Sequence, residues 1–212
     1  NNLLAVEYLN LGFAGIVTIN GTGGADVLVA RGTASNDAFT VAANTGNVDL
    51  VSAHGDHVDL VRSDVEALVL DGLDGDDTFT VNAPQPYNTI GIWGGNPAAG
   101  SDTAILNGTA GVDTIALTQA ASGDTVTGLG ATITLVNVED LTVNSLGGND
   151  VLSATEFGGT TDLQNVVFNS GGDASDTFSL TGTATQDDIQ LTPQSGTTVT
   201  AQANGVNPLL TV

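Results

Sequence analysis

Aspartate is the residue type in this chain that could do chemistry, and it is concentrated in one short segment. The run Asp71-Gly-Leu-Asp74-Gly-Asp76-Asp77 places four carboxylates within seven residues. Calcium takes six to eight oxygen ligands, often from carboxylates on a glycine-rich loop. The spacing therefore predicts calcium at Asp71, Asp74, Asp76 and Asp77. The alternative is that each aspartate closes a turn by bonding backbone amides, while the remaining carboxylates are solvated.

Single aspartates recur in turns elsewhere and extend this prediction. Asp26, Asp150 and Asp176 each follow a glycine-containing turn and precede an apolar stretch. They are predicted as further calcium ligands, with turn formation again as the alternative. Twenty of the 24 acidic residues are aspartate, which indicates short carboxylates placed in turns and not a merely solubilising surface.

Other residues could bind a metal, a glycan or a sugar, but turn formation or packing also explains why they are there. The segment His54-Gly-Asp-His57 could hold zinc or copper, or form a polar turn. Asn20-Gly-Thr and Asn107-Gly-Thr fit the pattern for N-glycosylation, which turn chemistry explains equally well. Trp93 stands before two glycines and could stack on a sugar, although packing is the preferred interpretation.

The charge balance excludes several classes of partner. The 212-residue chain has 24 acids, two arginines and no lysine, and a net charge of −22. Such a surface repels the phosphate backbone of nucleic acids and anionic membranes, so cations are its natural counterpart. No apolar run approaches the length of a membrane span, so we expect no membrane insertion. The chain has no cysteine, so disulfides cannot stabilise it.

An internal repeat organises the whole chain. Ile16–Asp37, Ile90–Asp113 and Val166–Asp187 resemble one another, and their starts lie 74 and 76 residues apart. Each copy carries two turn aspartates 11 residues apart. A fixed period of this kind indicates a repeat architecture.

A second motif, Val-Glu followed by alternating apolar residues, keeps the same register. It begins at Val6, Val65 and Val138, and the segment 208–212 has the same phase without the Val-Glu pair. On this alignment Leu9, Leu68, Leu141 and Leu210 are equivalent. The sequence therefore predicts one continuous array with repeats at 6–64, 65–137 and 138–207, and the phase of the next copy starting at 208–212.

Short strands account for this pattern better than helices. Strand-like segments recur about every eleven residues, most alternate apolar and polar residues, and no window has a convincing helical period. We predict an all-β chain folded as a parallel β-solenoid of three repeats of about 75 residues. Tandem β-sandwich domains are the alternative. The segments 39–51 and 48–61 are candidates for antiparallel hairpins within either fold.

The aspartate turns also carry a family resemblance. Leu73–Thr80 and Gly147–Ser153 resemble the second half of the glycine-aspartate nonapeptide of repeats-in-toxin proteins, and Gly23–Val29 and Gly172–Phe178 resemble it more loosely. The chain as a whole is similar to the degenerate β-strand repeats of very large bacterial surface and secreted proteins. The resemblance implies an extracellular setting, a parallel β-roll or β-helix, and calcium at the turns. Because the turn aspartates lie 11 residues apart and not nine, isolated calcium sites are expected.

These observations predict a structural extracellular protein and not an enzyme. We expect a segment of a bacterial cell-surface fibre, layer or adhesin stalk that assembles head-to-tail, since apolar segments stand at Leu3–Leu11 and Leu209–Val212. A module that binds carbohydrate or another surface protein is the alternative, with Ala83–Asn88 as its nearest candidate loop. A β-helix polysaccharide lyase or hydrolase is more remote, because the acids belong to the repeat and basic residues are scarce.

Overall fold

The computed structural model of the chain describes residues 15–96, 101–158, 161–172, 175–195 and 198–212. The first Val-Glu motif, which begins at Val6, lies outside these ranges. The described residues form strands and turns without a helix, which confirms the prediction of an all-β chain for this part of the sequence. They contain no helix long and apolar enough to cross a membrane.

Nineteen short strands make up the structure. In chain order they are β1 Gly15–Asn20, β2 Val27–Arg31, β3 Ala38–Val41, β4 Val48–Val51, β5 His57–Ser63, β6 Ala67–Asp71, β7 Thr78–Asn82, β8 Thr89–Trp93, β9 Thr103–Asn107, β10 Thr114–Thr118, β11 Asp124–Thr127, β12 Thr132–Val136, β13 Asp140–Asn144, β14 Val151–Phe157, β15 Asn165–Asn169, β16 Thr177–Gly182, β17 Ile189–Ser195, β18 Thr198–Ala203 and β19 Val206–Thr211. Most of them alternate buried and exposed residues, as expected of strands with one face on a core.

The strands form two sheets in which most neighbours run parallel. The first sheet has eleven strands in the order β1-β5-β4-β3-β7-β9-β13-β15-β19-β18-β17. The second sheet has eight strands in the order β16-β14-β10-β11-β12-β8-β6-β2. The chain changes sheet at twelve of the eighteen connections between these strands, so most strands of a sheet have neighbours that are not consecutive in sequence.

Three antiparallel meanders interrupt this alternation. They are β3-β4-β5 in the first sheet, β10-β11-β12 in the second sheet, and β17-β18-β19 in the first sheet again. The last strand of each meander pairs in parallel with the strand that lies two positions before the meander in the chain. The pairs are β5 with β1, β12 with β8 and β19 with β15. The hairpins predicted at 39–51 and 48–61 are confirmed as the β3-β4 and β4-β5 pairs.

Aliphatic and aromatic side chains stack in register between neighbouring strands. One row of buried residues runs through the first sheet and consists of Phe39, Phe79, Ala104, Leu141, Val166 and Leu210. The Phe39 and Phe79 rings stack with their centroids 5.0 Å apart. A comparable row in the second sheet contains Leu68, Ile90 and Ile133, and the buried residues of both sheets form one hydrophobic core.

Two details differ from the sequence interpretation. Trp93 is 44% exposed, so its interpretation as a packing residue is wrong, whereas Phe157 and Phe168 are buried. The reason is the position of Trp93 at the end of β8, where the alternation of the strand turns its side chain outward. Leu210 lies in β19, the last strand of the third meander, whereas Leu68 and Leu141 lie in β6 and β13. The limits of the repeats stay a prediction.

Candidate functional site: the aspartate corners

Six corners that lead into strands are built from a small residue followed five positions later by aspartate. The pairs are Gly21 with Asp26, Gly32 with Asp37, Gly72 with Asp77, Gly108 with Asp113, Ser145 with Asp150 and Gly182 with Asp187. Glycine is required at most of these corners because the aspartate carboxylate lies against its Cα. A Cβ at Gly72, for example, would collide with the Asp77 carboxylate and the Gly94 carbonyl.

The aspartates form hydrogen-bonded ladders along the edges of the sheets. In the first sheet the N–H of Asp37 donates to Oδ1 of Asp77 at 2.7 Å, and the N–H of Asp77 donates to Oδ1 of Asp102 at 2.8 Å. The N–H of Asp102 in turn donates to Oε2 of Glu139 at 2.8 Å. Each of these four residues immediately precedes a strand of that sheet. The carboxylates therefore satisfy backbone donors where the backbone ladder of the sheet begins.

The same arrangement occurs in the second sheet. The N–H of Asp113 donates to Oδ1 of Asp150 at 2.8 Å, and the N–H of Asp150 donates to Oδ1 of Asp176 at 2.9 Å. The N–H of Asp26 donates to Oε2 of Glu66 at 2.8 Å. The glutamate of the Val-Glu motif thus accepts the same kind of backbone hydrogen bond as a corner aspartate, through a longer side chain.

Three of these six corners share a longer motif, and each of the three precedes a meander. The motif is Gly-Thr-Ala-x-x-Asp, and it leads into β3, β10 and β17. The backbone N–H and the hydroxyl of Thr109 both donate to the Asp113 carboxylate, and the corners that end at Asp37 and Asp187 are bonded in the same way. Both oxygens of each carboxylate thus have a hydrogen-bond donor within their own turn, as in an Asx-type turn, and Oδ1 of Asp187 also accepts a hydrogen bond from Nδ2 of Asn204.

Several ladder aspartates keep one carboxylate oxygen without a hydrogen-bond donor among the described residues. The oxygens are Oδ2 of Asp26, Asp77, Asp102, Asp150 and Asp176. Burial raises the pKa of Asp77 from 3.8 to about 6 and has the same effect on the pKa of Asp102. A proton or a cation would remove the cost of these buried negative charges.

The four carboxylates of the predicted calcium segment are used in different ways. Asp71 accepts a hydrogen bond from Nε of Arg31 at 2.8 Å, as an ion pair between β2 and β6. The exposed Asp74 accepts one from the amide of Asn96 at 3.1 Å. Asp77 belongs to the ladder described above.

The remaining predicted calcium ligands also separate in space. The backbone N–H of Asp76 donates to Oδ1 of Asn36, and Asp26, Asp150 and Asp176 lie in the corners of the second sheet. Within the described ranges, no three of the seven predicted ligands bring carboxylate oxygens within 4.8 Å of one another. Calcium at these residues stays a prediction.

One group of potential metal ligands does converge in the described structure. It consists of Asp49 on β4 and His57 and Asp59 on β5, whose ligand atoms all lie within 4.8 Å of one another. The predicted segment His54-Gly-Asp-His57 is divided, because His54 and Asp56 are exposed in the turn between the strands while His57 belongs to β5. The sequence signal for the actual group is the repeated Val-Asp-Leu-Val, once in β4 and once in β5.

An asparagine row lies at the opposite ends of the first-sheet strands. The Nδ2 of Asn107 donates to Oδ1 of Asn82 at 2.8 Å, and Nδ2 of Asn144 donates to Oδ1 of Asn107 at 2.8 Å. Asn169 continues the row at 3.3 Å. A glycan on Asn107 would break this row, whereas Asn20 is exposed at the end of β1.

No family model and no curated protein matches this chain. The interpretation of the corners, the metal-ligand group and Trp93 therefore rests on their geometry.

Proposed function

We propose that this chain is a structural segment of a bacterial cell-surface fibre, layer or adhesin stalk, built as a parallel β-solenoid. The observation that carries the proposal is the in-register row of buried residues that begins at Phe39 and ends at Leu210. In a solenoid each unit packs only on its neighbours, and a continuous core of this kind results. A chain of this kind serves as a rod or scaffold, since its surface consists of repeated corners and strand faces.

Continuity of the sheets favours the solenoid over tandem β-sandwich domains. The parallel pair β9-β13 in the first sheet and the parallel pair β10-β14 in the second sheet join the second predicted repeat to the third. Tandem sandwiches would be expected to close separate cores, whereas the buried residues here form one cluster. The meanders would then be excursions that widen a coil without interrupting the array.

The use of the acidic residues also supports a structural role. Corner carboxylates such as those of Asp77 and Asp150 accept backbone N–H groups from the neighbouring strand, and equivalent residues do so in successive repeats. Residues reserved for catalysis are expected at one place and not in every repeat. The resemblance to repeats-in-toxin turns supports an extracellular location, where calcium is proposed to neutralise part of the acidic surface.

Exposed sheet edges supply a route to self-assembly. Within the described residues β2 and β16 are the outer strands of the second sheet, and β2 exposes Val27 and Val29. An open strand edge with apolar side chains is a template for pairing with another chain. We therefore propose copies of this chain, joined through sheet edges, as its principal partner.

Fragments test the solenoid directly. A fragment of residues 38–107 contains one meander and the four strands after it, and 38–182 contains two such units. For a solenoid, stability grows with the number of stacked units, so the short fragment should unfold at a lower denaturant concentration than the long one or not fold. Equal midpoints for both fragments and the full chain, measured by circular dichroism in urea, would instead establish independent sandwich domains.

Sedimentation velocity tests assembly through the edge. We expect the full chain to form larger species as its concentration rises, and Val29→Glu to reduce them because a charge on an edge strand opposes pairing. Val112→Glu is the matched control, since Val112 is 70% exposed at a corner and lies in no strand. A single monomeric species at all concentrations would contradict head-to-tail assembly.

Trp93 supports carbohydrate binding as a second candidate function. Its side chain is exposed at the end of β8, beside Asp71 of β6, which is paired with Arg31. Gly91, two residues earlier on the same face, adds no side chain next to the indole. An exposed aromatic ring beside a charged pair is a suitable platform for stacking a sugar ring and bonding its hydroxyls.

Fluorescence can test this candidate without a label because Trp93 is the only tryptophan. Titration with neutral and acidic oligosaccharides should change the indole emission if a sugar stacks on it. Arg31→Gln should weaken that binding while leaving the emission of the free protein similar. Unchanged emission across the series would exclude Trp93 as a sugar platform for those glycans.

A further inference from the structure

Two aspartates face each other across an antiparallel strand pair in the first meander. Asp49 of β4 and Asp59 of β5 are direct register partners. His57 lies two residues before Asp59, on the same face of β5. Its Nε2 is 2.5 Å from Oδ1 of Asp49 and 3.7 Å from Oδ1 of Asp59. One imidazole nitrogen and two carboxylate oxygens therefore converge on a single point of the sheet surface.

Few basic side chains are available to neutralise the negative charges of Asp49 and Asp59. Like charges directly opposite one another destabilise a strand pair. The chain contains two arginines and no lysine. Arg31 is paired with Asp71, and the guanidinium of Arg62 donates to the carbonyls of Thr45 and Val65 and lies over the Tyr87 ring.

We propose that Asp49, His57 and Asp59 form a binding site for a divalent transition-metal ion of the zinc class. An imidazole with two carboxylates suits Zn²⁺ with an open fourth position for water, whereas calcium and magnesium select oxygen ligands alone. Tetrahedral ligands at the usual zinc distances lie about 3.4 Å apart. The two separations from Nε2 of His57 lie on either side of this value, and all three ligand atoms lie within 4.8 Å of one another, so rotation of the side chains can bring them to it.

Accessibility is suited to a bound ion with a water ligand. The side chains of Asp49 and Asp59 are 42% and 41% exposed, and that of His57 is 22% exposed. The residues that flank the pair in the neighbouring strands are Thr40 of β3 and Ile16 of β1, neither of which carries a charge. An ion can therefore reach the site from solvent without displacing a competing cation.

The site belongs to one meander only and is not a repeat feature. In the second meander the β11-β12 register pairs are Asp124 with Leu135, Thr125 with Thr134 and Val126 with Ile133. None of these pairs opposes two carboxylates. The position of the proposed ion across β4 and β5 also implies that binding would hold the first meander together, since an ion that binds only the folded state stabilises it.

Calorimetric titration of the full-length, metal-free chain with Zn²⁺ is the primary test, and Co²⁺ supplies a visible spectrum that reports nitrogen and oxygen coordination. We expect one ion per chain. His57→Gln and Asp59→Asn should each weaken binding by more than about tenfold. The matched control is His54→Gln, because His54 is the only other histidine and is exposed in the adjacent turn. A circular dichroism spectrum of each variant checks that it is folded.

Three outcomes would overturn the proposal. The first is no heat of binding and no visible cobalt absorption with the unaltered chain. The second is loss of binding in His54→Gln to the same extent as in His57→Gln, which would place the ion in the turn. The third is weak binding of several ions that neither His57→Gln nor Asp59→Asn changes, which would assign the metal to the acidic corners.

Discussion

The backbone N–H of Asp77 donates a 2.8 Å hydrogen bond to Oδ1 of Asp102, and both residues immediately precede strands of the same sheet. The Asp102 side chain is fully buried, and its second oxygen has no hydrogen-bond donor within the described part of the chain. One carboxylate therefore satisfies a buried donor and at the same time leaves a buried charge. These two effects can be separated by substitution.

Asp102→Ala and Asp102→Asn should have different effects on stability. Alanine leaves the Asp77 N–H buried without its acceptor, so we expect the free energy of unfolding to fall by about 1 to 3 kcal/mol. Asparagine keeps an acceptor oxygen and removes the charge, so stability at pH 7 should be equal or higher. Urea unfolding at pH 7 measures both, with Asp188→Ala as the control because Asp188 is exposed. Equal loss in both variants would show that the carboxylate charge itself is required.

Stability should increase when the pH is lowered from 7 to 5. Burial raises the pKa of Asp77 and of Asp102 to about 6, from an ordinary value of 3.8. Between these values the folded chain binds more protons than the unfolded chain, so the free energy of unfolding decreases as the pH rises through this range. Thermal melts at pH 5, 6 and 7 should show the highest melting temperature at pH 5.

A double variant separates this effect from the general repulsion of a chain with a net charge of −22. Asp77→Asn combined with Asp102→Asn removes two of the buried carboxyls whose pKa is raised, the third being Asp124, and should make the dependence of the melting temperature on pH less steep. Melts at high salt, which screens surface charge, should leave the dependence of the unaltered chain largely in place. An equally steep dependence in the double variant would show that Asp77 and Asp102 are not its source.

Gly72 should not tolerate a side chain. A Cβ there would collide with the carboxylate of Asp77 and the carbonyl oxygen of Gly94, and the second of these is backbone. We expect Gly72→Ala to lower the free energy of unfolding by about 1 to 3 kcal/mol. Gly111→Ala is the matched control, because its Cβ would meet only the Thr109 hydroxyl at 3.7 Å. The urea midpoints of Gly72→Ala and Gly111→Ala test the prediction. Similar midpoints would show that the corner at Gly72 accommodates a methyl group without loss of stability.

Calcium should raise the melting temperature if the acidic segment Asp71–Asp77 binds it. A ligand that binds only the folded chain stabilises it in proportion to its occupancy. We expect a higher melting temperature in millimolar calcium than in chelator, and a smaller difference in Asp74→Asn with Asp76→Asn. Magnesium at the same concentration controls for general screening. Identical melts in calcium and chelator would leave these aspartates as turn and ladder residues alone.

The sequence was sufficient for the local structure. Alternating apolar residues and glycine-rich turns predicted strands throughout, because a period of two buries one face of a strand. The hairpins from Phe39 to Val61 were also predictable, since short turns join complementary strands in register. The spacing of five residues between Gly72 and Asp77 was also visible in the sequence, but the hydrogen-bond partner of Asp77 could not be predicted from it. The Asp77 carboxylate bonds the N–H of Asp37, which is 40 residues away along the chain.

Tertiary structure alone decided which residues meet. Five crossings separate one meander from the next, and because this number is odd, equivalent strands such as β6 and β13 fall on opposite sheets. No local sequence pattern predicts the number of crossings between meanders. Trp93 points outward because Ile90 and Ile92 are the β8 residues that face the core. Asp49, His57 and Asp59 converge because of the register in which β4 pairs with β5. Propensity and periodicity act within a strand, whereas register and sheet assignment follow from packing between residues far apart in sequence.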